Sequence, residues 1–218
     1  MKTALVFGSS GLVGGYLLNQ LIENDNYNKI KIFVRSEPKN HNPKIEIIKT
    51  DFNNLENHKE DIKGDDCFFC IGTTKQNSPD KNEYRRVELD IPKKIAQIAK
   101  SNSVNSFVFV SSGYADPKSS GDYLKFKGEV EEELKRLNFP KLGIMRPSFL
   151  LGDRKEKRVG EKIGIFVFKL LSPLFLGPLK KMKPIHSQNV AKAMIKIANE
   201  NLRKTIFESN EIVEITSR

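Results

Sequence analysis

Cysteine, histidine and long apolar runs are all scarce in this chain of 218 residues, which has 2 Cys and 3 His. So few cysteines exclude a disulfide scaffold. Without a second cysteine pair, and with His41, His58 and His186 scattered, no zinc site has its ligands, and no metal is expected. Cys67 and Cys70 do form a Cys-x-x-Cys, but the run Cys67-Phe68-Phe69-Cys70-Ile71-Gly72 is continuously apolar. It reads as a buried strand whose alternation sends the two sulfurs to opposite faces. Free buried thiols fit a reducing compartment, so the expected localisation is cytoplasmic. The longest apolar stretch, 163–179, is interrupted by Lys169, Pro173 and Pro178, whereas a transmembrane helix needs about 20 apolar residues in a row. The start, Met1-Lys2 and a brief apolar run that meets Gly8, is too short for the core of a signal peptide. Collagen-like and coiled-coil classes are excluded by 14 Gly and 10 Pro.

What is present is a large basic excess and a regular alternation of elements. Lys and Arg number 37 against 27 Asp and Glu, a formal charge of +10. A basic chain can bind nucleic acid, but no helix-turn-helix, zinc or RNA-binding signature accompanies the charge, so no specific nucleic-acid binding is expected. Strands are predicted at 3–8, 30–34, 45–48, 67–71, 107–110 and 142–145, with late strands at 205–208 and 211–215. Helices are predicted at 12–23, 84–100, 123–137 and 190–198. Strand and helix in alternation, with strands apolar on both faces, imply an α/β fold: a Rossmann-type doubly wound parallel sheet with a small C-terminal helical extension. A single domain over 1–218 is expected.

Gly8-Ser9-Ser10-Gly11-Leu12-Val13-Gly14-Gly15 follows the first strand directly and opens the first helix. Gly8 suits a tight turn, Gly11 lets the backbone approach a pyrophosphate, and Gly14 lets helix and sheet pack closely. The helix start then offers unpaired N–H groups and a partial positive charge to phosphate. Cofactor contacts are expected from Gly8, Ser10, Gly11, Leu12, Val13 and Gly14. The second strand ends in Val34-Arg35-Ser36. An acid there would bond the 2′-hydroxyl of NAD, whereas the guanidinium fork of Arg35 suits the 2′-phosphate of NADP.

Tyr123 and Lys127 are four residues apart, on one face of the predicted helix that follows a strand ending Ser111-Ser112. A free phenol is a poor base at neutral pH, and an adjacent ammonium favours its ionised form. The pair can therefore exchange a proton with a bound carbonyl or alcohol.

The Gly-x-x-Gly-x-x-Gly spacing resembles the extended and atypical short-chain dehydrogenases/reductases. Together with Cys70-Ile71-Gly72-Thr73-Thr74-Lys75, Ser111-Ser112-Gly113, Tyr123-Leu124-Lys125-Phe126-Lys127-Gly128-Glu129-Val130-Glu131 and Arg146-Pro147, it resembles the Tat-interacting-protein-like atypical subfamily. That resemblance implies an NADPH-binding Rossmann fold whose members are oxidoreductases or regulators. It implies that Asp51 and Phe52 meet the adenine edge and that Gly72 and Thr73 pass the central ribose. Pro147 and Phe149 would border the nicotinamide, and Lys127 would also hold its ribose. Ser112, rather than Ser111, would bond the substrate oxygen, with Tyr123 as the acid/base. One departure is visible: active relatives carry an Asn on the helix before the fifth strand, and Arg86-Val87-Glu88-Leu89-Asp90 has none, so the proton relay would run through water or an acid.

These features predict an NADPH-dependent oxidoreductase acting on a small carbonyl or alcohol. The rivals are a non-catalytic NADPH sensor, favoured by the missing Asn, and a sugar-nucleotide epimerase-like enzyme, which usually needs a longer second domain. The segment 152–183, with nine Lys or Arg against three acids and several apolar residues, is expected to be a lid over the substrate site. A packed hairpin, or an apolar segment resting on an anionic membrane surface, are its alternatives. Oligomeric state and substrate are not specified by these patterns.

Overall fold

A seven-stranded sheet, every neighbouring pair parallel, forms the centre of the molecule. The computed structural model describes residues 1–38, 42–152, 183–201 and 203–217. In chain order the sheet's strands are β1 Lys2–Phe7, β2 Tyr27–Val34, β3 Ile45–Lys49, β4 Asp66–Phe69, β5 Ser106–Val110, β6 Lys141–Arg146 and β9 Ile206–Glu208, and they lie in the sheet in the order β3-β2-β1-β4-β5-β6-β9. The short β7 Leu150–Leu151 and β8 Ile185–His186 form a separate ladder. The helices are α1 Leu12–Ile22, α2 Lys81–Arg85, α3 Ile91–Ser101, α4 Asp122–Leu137, α5 Ser187–Asn199 and α6 Ser209–Ser217.

Parallel strands need crossovers, and these cover both faces of the sheet. One apolar layer holds Val6, Leu17, Phe68, Val108, Val190 and Met194, packing α1 and α5 on one face. The other holds Phe7, Phe69, Ile95, Phe109, Val130 and Leu134, packing α3 and α4 on the opposite face. Cys67 belongs to the second layer and Cys70 packs against the first, so the two thiols lie on opposite faces as their spacing predicts. Burial raises the pKa of both, with Cys70 pushed up to about 12, so neither offers a thiolate at neutral pH.

An aromatic row fixes the rim of the sheet where the site lies. Phe33, Phe7, Phe69 and Phe109 occupy adjacent register positions on four neighbouring strands. Their ring centroids step by 4.2, 6.0 and 5.8 Å. From β1 the chain builds outward through β2 and β3, then returns to add β4 on the other side of β1. The carboxyl ends of β1 and β4 therefore flank the switch in strand order where doubly wound sheets bind ligands.

One predicted element is different. Residues 211–215, expected as a strand, belong to α6. Ile212 and Ile215 are three apart and both turn to the α1–α5 apolar layer. Over so short a run this helical spacing is hard to tell from strand alternation. Of the lid expected over 152–183, residues 153–182 lie outside the described residues. Its flanks are described: Leu150 pairs with Ile185 and Leu151 with His186. His186 caps α5, accepting from the Gln188 N–H at 3.2 Å, and meets the Tyr16 ring edge-on. Among the described residues no helix is long and apolar enough to cross a membrane.

Candidate active site

The glycine loop turns between β1 and α1. Gly8 has φ +89°, a left-handed conformation that glycine adopts without cost. A Cβ there would also lie 2.8 Å from the backbone of Cys70 and Ile71. Gly14 is a packing position, because a Cβ on it would approach the Gly8 carbonyl oxygen to 2.0 Å. Gly11 caps α1 without a side chain, leaving the N–H groups of the first turn with no partner inside the helix. Val13 is buried in the core, so it and Gly14 can offer a ligand their backbone N–H groups only.

Eight of the expected cofactor residues line one cleft of about 270 Å³: Gly8, Ser10, Gly11, Arg35, Asp51, Phe52, Gly72 and Thr73. Arg35 is exposed at the end of β2. Asp51 accepts the backbone N–H of Asn53 at 2.9 Å and its side-chain amide at 2.8 Å, and these bonds hold its carboxyl below the usual carboxylate range. Phe52 stands at φ +64°, a costly backbone for an aromatic residue. Its carbonyl is held by an Arg86 N–H at 3.2 Å, and Arg86 in turn grips Glu83 through two hydrogen bonds of 2.6 and 2.9 Å.

Several cleft residues escaped the sequence reading. Arg86, Glu83, Asn77 and Ser78 line the same space, and Ser78 lies 3.0 Å from the Thr73 hydroxyl. No local pattern marks them, because the loop after β4 and the α2 helix bring them in from the far wall. Arg86 places a second guanidinium in the cleft with Arg35.

Beside this cleft, α4 carries Tyr123 and Lys127. Tyr123 is 37% exposed, whereas Lys127 is buried. The Lys127 ammonium lies 5.9 Å from the centre of the Tyr123 ring and 4.9 Å from that of Phe109. It donates a long hydrogen bond of 3.4 Å to the Val110 carbonyl, at the end of β5. Its charge is matched by Glu88, with 3.0 Å between Nζ and Oε2. Burial pushes the lysine pKa down, but the Glu88 carboxylate and Tyr123 outweigh this and hold it above the ordinary value.

The two serines at the end of β5 have separate surroundings. The Ser111 hydroxyl is buried and donates to Glu131 at 2.6 Å. Glu131 also binds Arg146 through hydrogen bonds of 2.9 and 2.6 Å, and Arg146 reaches the Ala115 carbonyl at 3.0 Å. Ser112 is only partly buried, and its hydroxyl has a weak 3.3 Å contact with the Gly113 carbonyl. It is the serine left available to a ligand. Gly113 N–H donates to the Pro147 carbonyl at 2.9 Å, which ties this loop to the end of β6. Pro147 is buried, and Phe149 is 54% exposed beyond it.

A family described as NAD(P)H-binding matches residues 8–201, a span that runs from the glycine loop to the end of α5. The chain belongs to this family. Protein HTATIP2 of Rattus norvegicus is 34% identical over 166 residues, covering 73% of this chain and 67% of that protein. The protein named FMP52-1, mitochondrial, of Scheffersomyces stipitis is 30% identical, covering 98% of each. These relatives agree with the Tat-interacting-protein-like resemblance seen in the motifs. Among solved structures, the Bordetella bronchiseptica enzyme WbmH in complex with NAD+ superposes with a TM-score of 0.72 at 16% identity, covering all of this chain and 79% of that one. A UDP-N-acetylglucosamine 4-epimerase from Methanobrevibacter ruminantium gives 0.71 at 18%, covering 99% and 80%. At these identities the two structures show a shared Rossmann-type fold. The family match identifies the chain as an NAD(P)H-binding protein.

Proposed function

We propose that the protein is an NADPH-dependent oxidoreductase of the short-chain dehydrogenase/reductase type that acts on a small carbonyl or alcohol. One observation carries the reading: a buried, charge-compensated Lys127 stands between the Tyr123 ring and the end of β5, next to a cleft lined by the glycine loop. An ammonium so placed serves a phenol that must give and take a proton.

In the reduction, Tyr123 would donate its hydroxyl proton to the oxygen of the bound carbonyl, which becomes the alcohol. The Ser112 hydroxyl hydrogen-bonds that oxygen and orients it. Lys127 would stabilise the phenolate left on Tyr123 and would hold the nicotinamide ribose. Bound NADP(H) supplies the hydride chemistry. Leu12, Val13 and Gly14 would present N–H groups to its pyrophosphate, Arg35 would take the 2′-phosphate, and Pro147 and Phe149 would border the nicotinamide. The two free thiols support residence in a reducing compartment such as the cytoplasm.

The test is a screen of carbonyls and quinones for NADPH consumption. Wild type is expected to consume cofactor with at least one class. Tyr123→Phe should abolish that turnover while keeping cofactor affinity, and Lys127→Met should damage both. Near-wild-type turnover by Tyr123→Phe would contradict the mechanism. NADPH binding with no turnover on any acceptor would favour a sensor that passes cofactor occupancy to a protein partner.

A further inference from the structure

The helix before β5 contains a wide turn that sets one carboxylate under the lysine. Residues 86–90 form a π-helical segment between α2 and α3. Pro92, in the first turn of α3, has no N–H to close onto the Glu88 carbonyl four residues back. Such turns recur at functional sites because they re-aim a side chain. Here the side chain is Glu88, which has no solvent exposure.

Glu88 joins two parts of the site. Oε1 accepts the backbone N–H of Thr73 at 2.5 Å, on the cofactor-side loop after β4. Oε2 faces the Lys127 ammonium at 3.0 Å as an ion pair. A buried carboxylate is costly unless paired, and this one divides its charge between a backbone amide and a lysine from another element.

We infer that Glu88 is the positioning residue of this site: its carboxylate clamps the Lys127 ammonium to the Gly72–Thr73 backbone, so that the lysine keeps its charge and its place relative to the cofactor loop. This extends the oxidoreductase reading and rests on it for its purpose, although the clamp itself is a property of the free protein. It also accounts for the absent Asn. An acid supplies the lysine's partner directly, where the relatives' pattern would use an amide.

The other titratable groups facing the pair are Tyr123 on α4, Tyr84 on α2 and the Cys70 thiol at the end of β4. Burial and the nearby Glu88 push the Tyr84 phenol above its ordinary pKa, and burial does the same to Cys70, so both stay neutral through the physiological range. A Tyr123→Phe background removes the third group from the measurement.

The experiment is an NMR titration of protein carrying 13C at the lysine ε-carbons, with the Lys127 signal assigned by its loss in Lys127→Met. In Tyr123→Phe protein, Lys127 should remain an ammonium to about pH 10 or beyond. Adding Glu88→Gln leaves a buried amine with no counter-charge, and its midpoint should fall by at least about two pH units. Thr73 amide exchange should accelerate at least tenfold in Glu88→Ala. An unmoved Lys127 midpoint or an unchanged Thr73 exchange rate would overturn the proposal. If Glu88→Gln does not fold, Glu88→Asp keeps the charge and withdraws it by one methylene. Thr73 exchange should then rise while Lys127 titrates as before, and unchanged exchange would again overturn the clamp. NADPH titration of the same wild-type sample keeps the two claims apart. Failure to bind NADPH would sink the cofactor reading and leave the lysine result standing.

Discussion

At the residue scale, the adjacent serines at the end of β5 separate structure from chemistry. Ser111 is buried and hydrogen-bonded to Glu131, which belongs to a charged network with Arg146 and Glu208. Ser112 is partly open and weakly engaged. Ser111→Ala removes a hydrogen bond to a charged group and should cost about 1.5–3 kcal/mol in urea denaturation. Ser112→Ala should leave that midpoint nearly unchanged and lower turnover on any accepted substrate. The reverse pattern would exchange their roles. Position in the chain alone does not separate them; the expectation for Ser112 rests on a family resemblance, and the Glu131 contact of Ser111 is what sets their surroundings apart. The two carboxylate partners of Arg146 and its bond to the Ala115 carbonyl mark it as a brace for the β5 loop. They also raise its pKa, through Glu131 foremost.

At the element scale, the site depends on how closely α4 approaches the loop after β5. Gly128, the residue after Lys127, makes this possible: a Cβ there would lie 2.3 Å from the Pro117 nitrogen and 2.4 Å from the Asp116 carbonyl carbon. Backbone cannot yield as a flexible side chain can. Gly128→Ala should therefore cost on the order of 1–3 kcal/mol or more, lower the melting temperature and impair turnover, with the loop displaced in its structure. A variant with wild-type stability would show that the loop has slack. The elements differed in how clearly the sequence announced them. The glycine loop and Tyr-x-x-x-Lys are short-range patterns set by one turn or one helix face, and they were legible. The wide turn at 86–90 was not, because ordinary helical spacing covers it, and its register shift matters only once Glu88 meets Lys127 from another element. Arg86 and Ser78 were hidden for the same reason: tertiary packing alone carries them to the cleft. Residues 211–215 illustrate the opposite error, where five residues of Glu, Ile and Val satisfy strand and helix spacing equally well.

At the scale of the whole molecule, the order of strands explains where everything gathers. The carboxyl ends of β1, β2, β4, β5 and β6 bring Gly8, Arg35, Gly72, Ser112 and Pro147 to one rim, although 139 positions (147 − 8) separate the first from the last. The alternation of elements was enough to predict this rim, because a right-handed parallel sheet allows few other arrangements. Family membership then fixes the cofactor class as NAD(P), and the +10 charge of the chain suits a polyanionic ligand. The proposed preference for NADP rests on Arg35, which is exposed at the end of β2 and lines the cleft together with Arg86. Calorimetric titration of wild type and Arg35→Ala with NADPH and NADH tests the account most directly. Wild type should prefer NADPH, and Arg35→Ala should lose about 1.5–3 kcal/mol of NADPH affinity, on the order of 10- to 100-fold, with NADH nearly unaffected. Equal wild-type affinities for the two cofactors, or an NADPH affinity indifferent to Arg35, would contradict it.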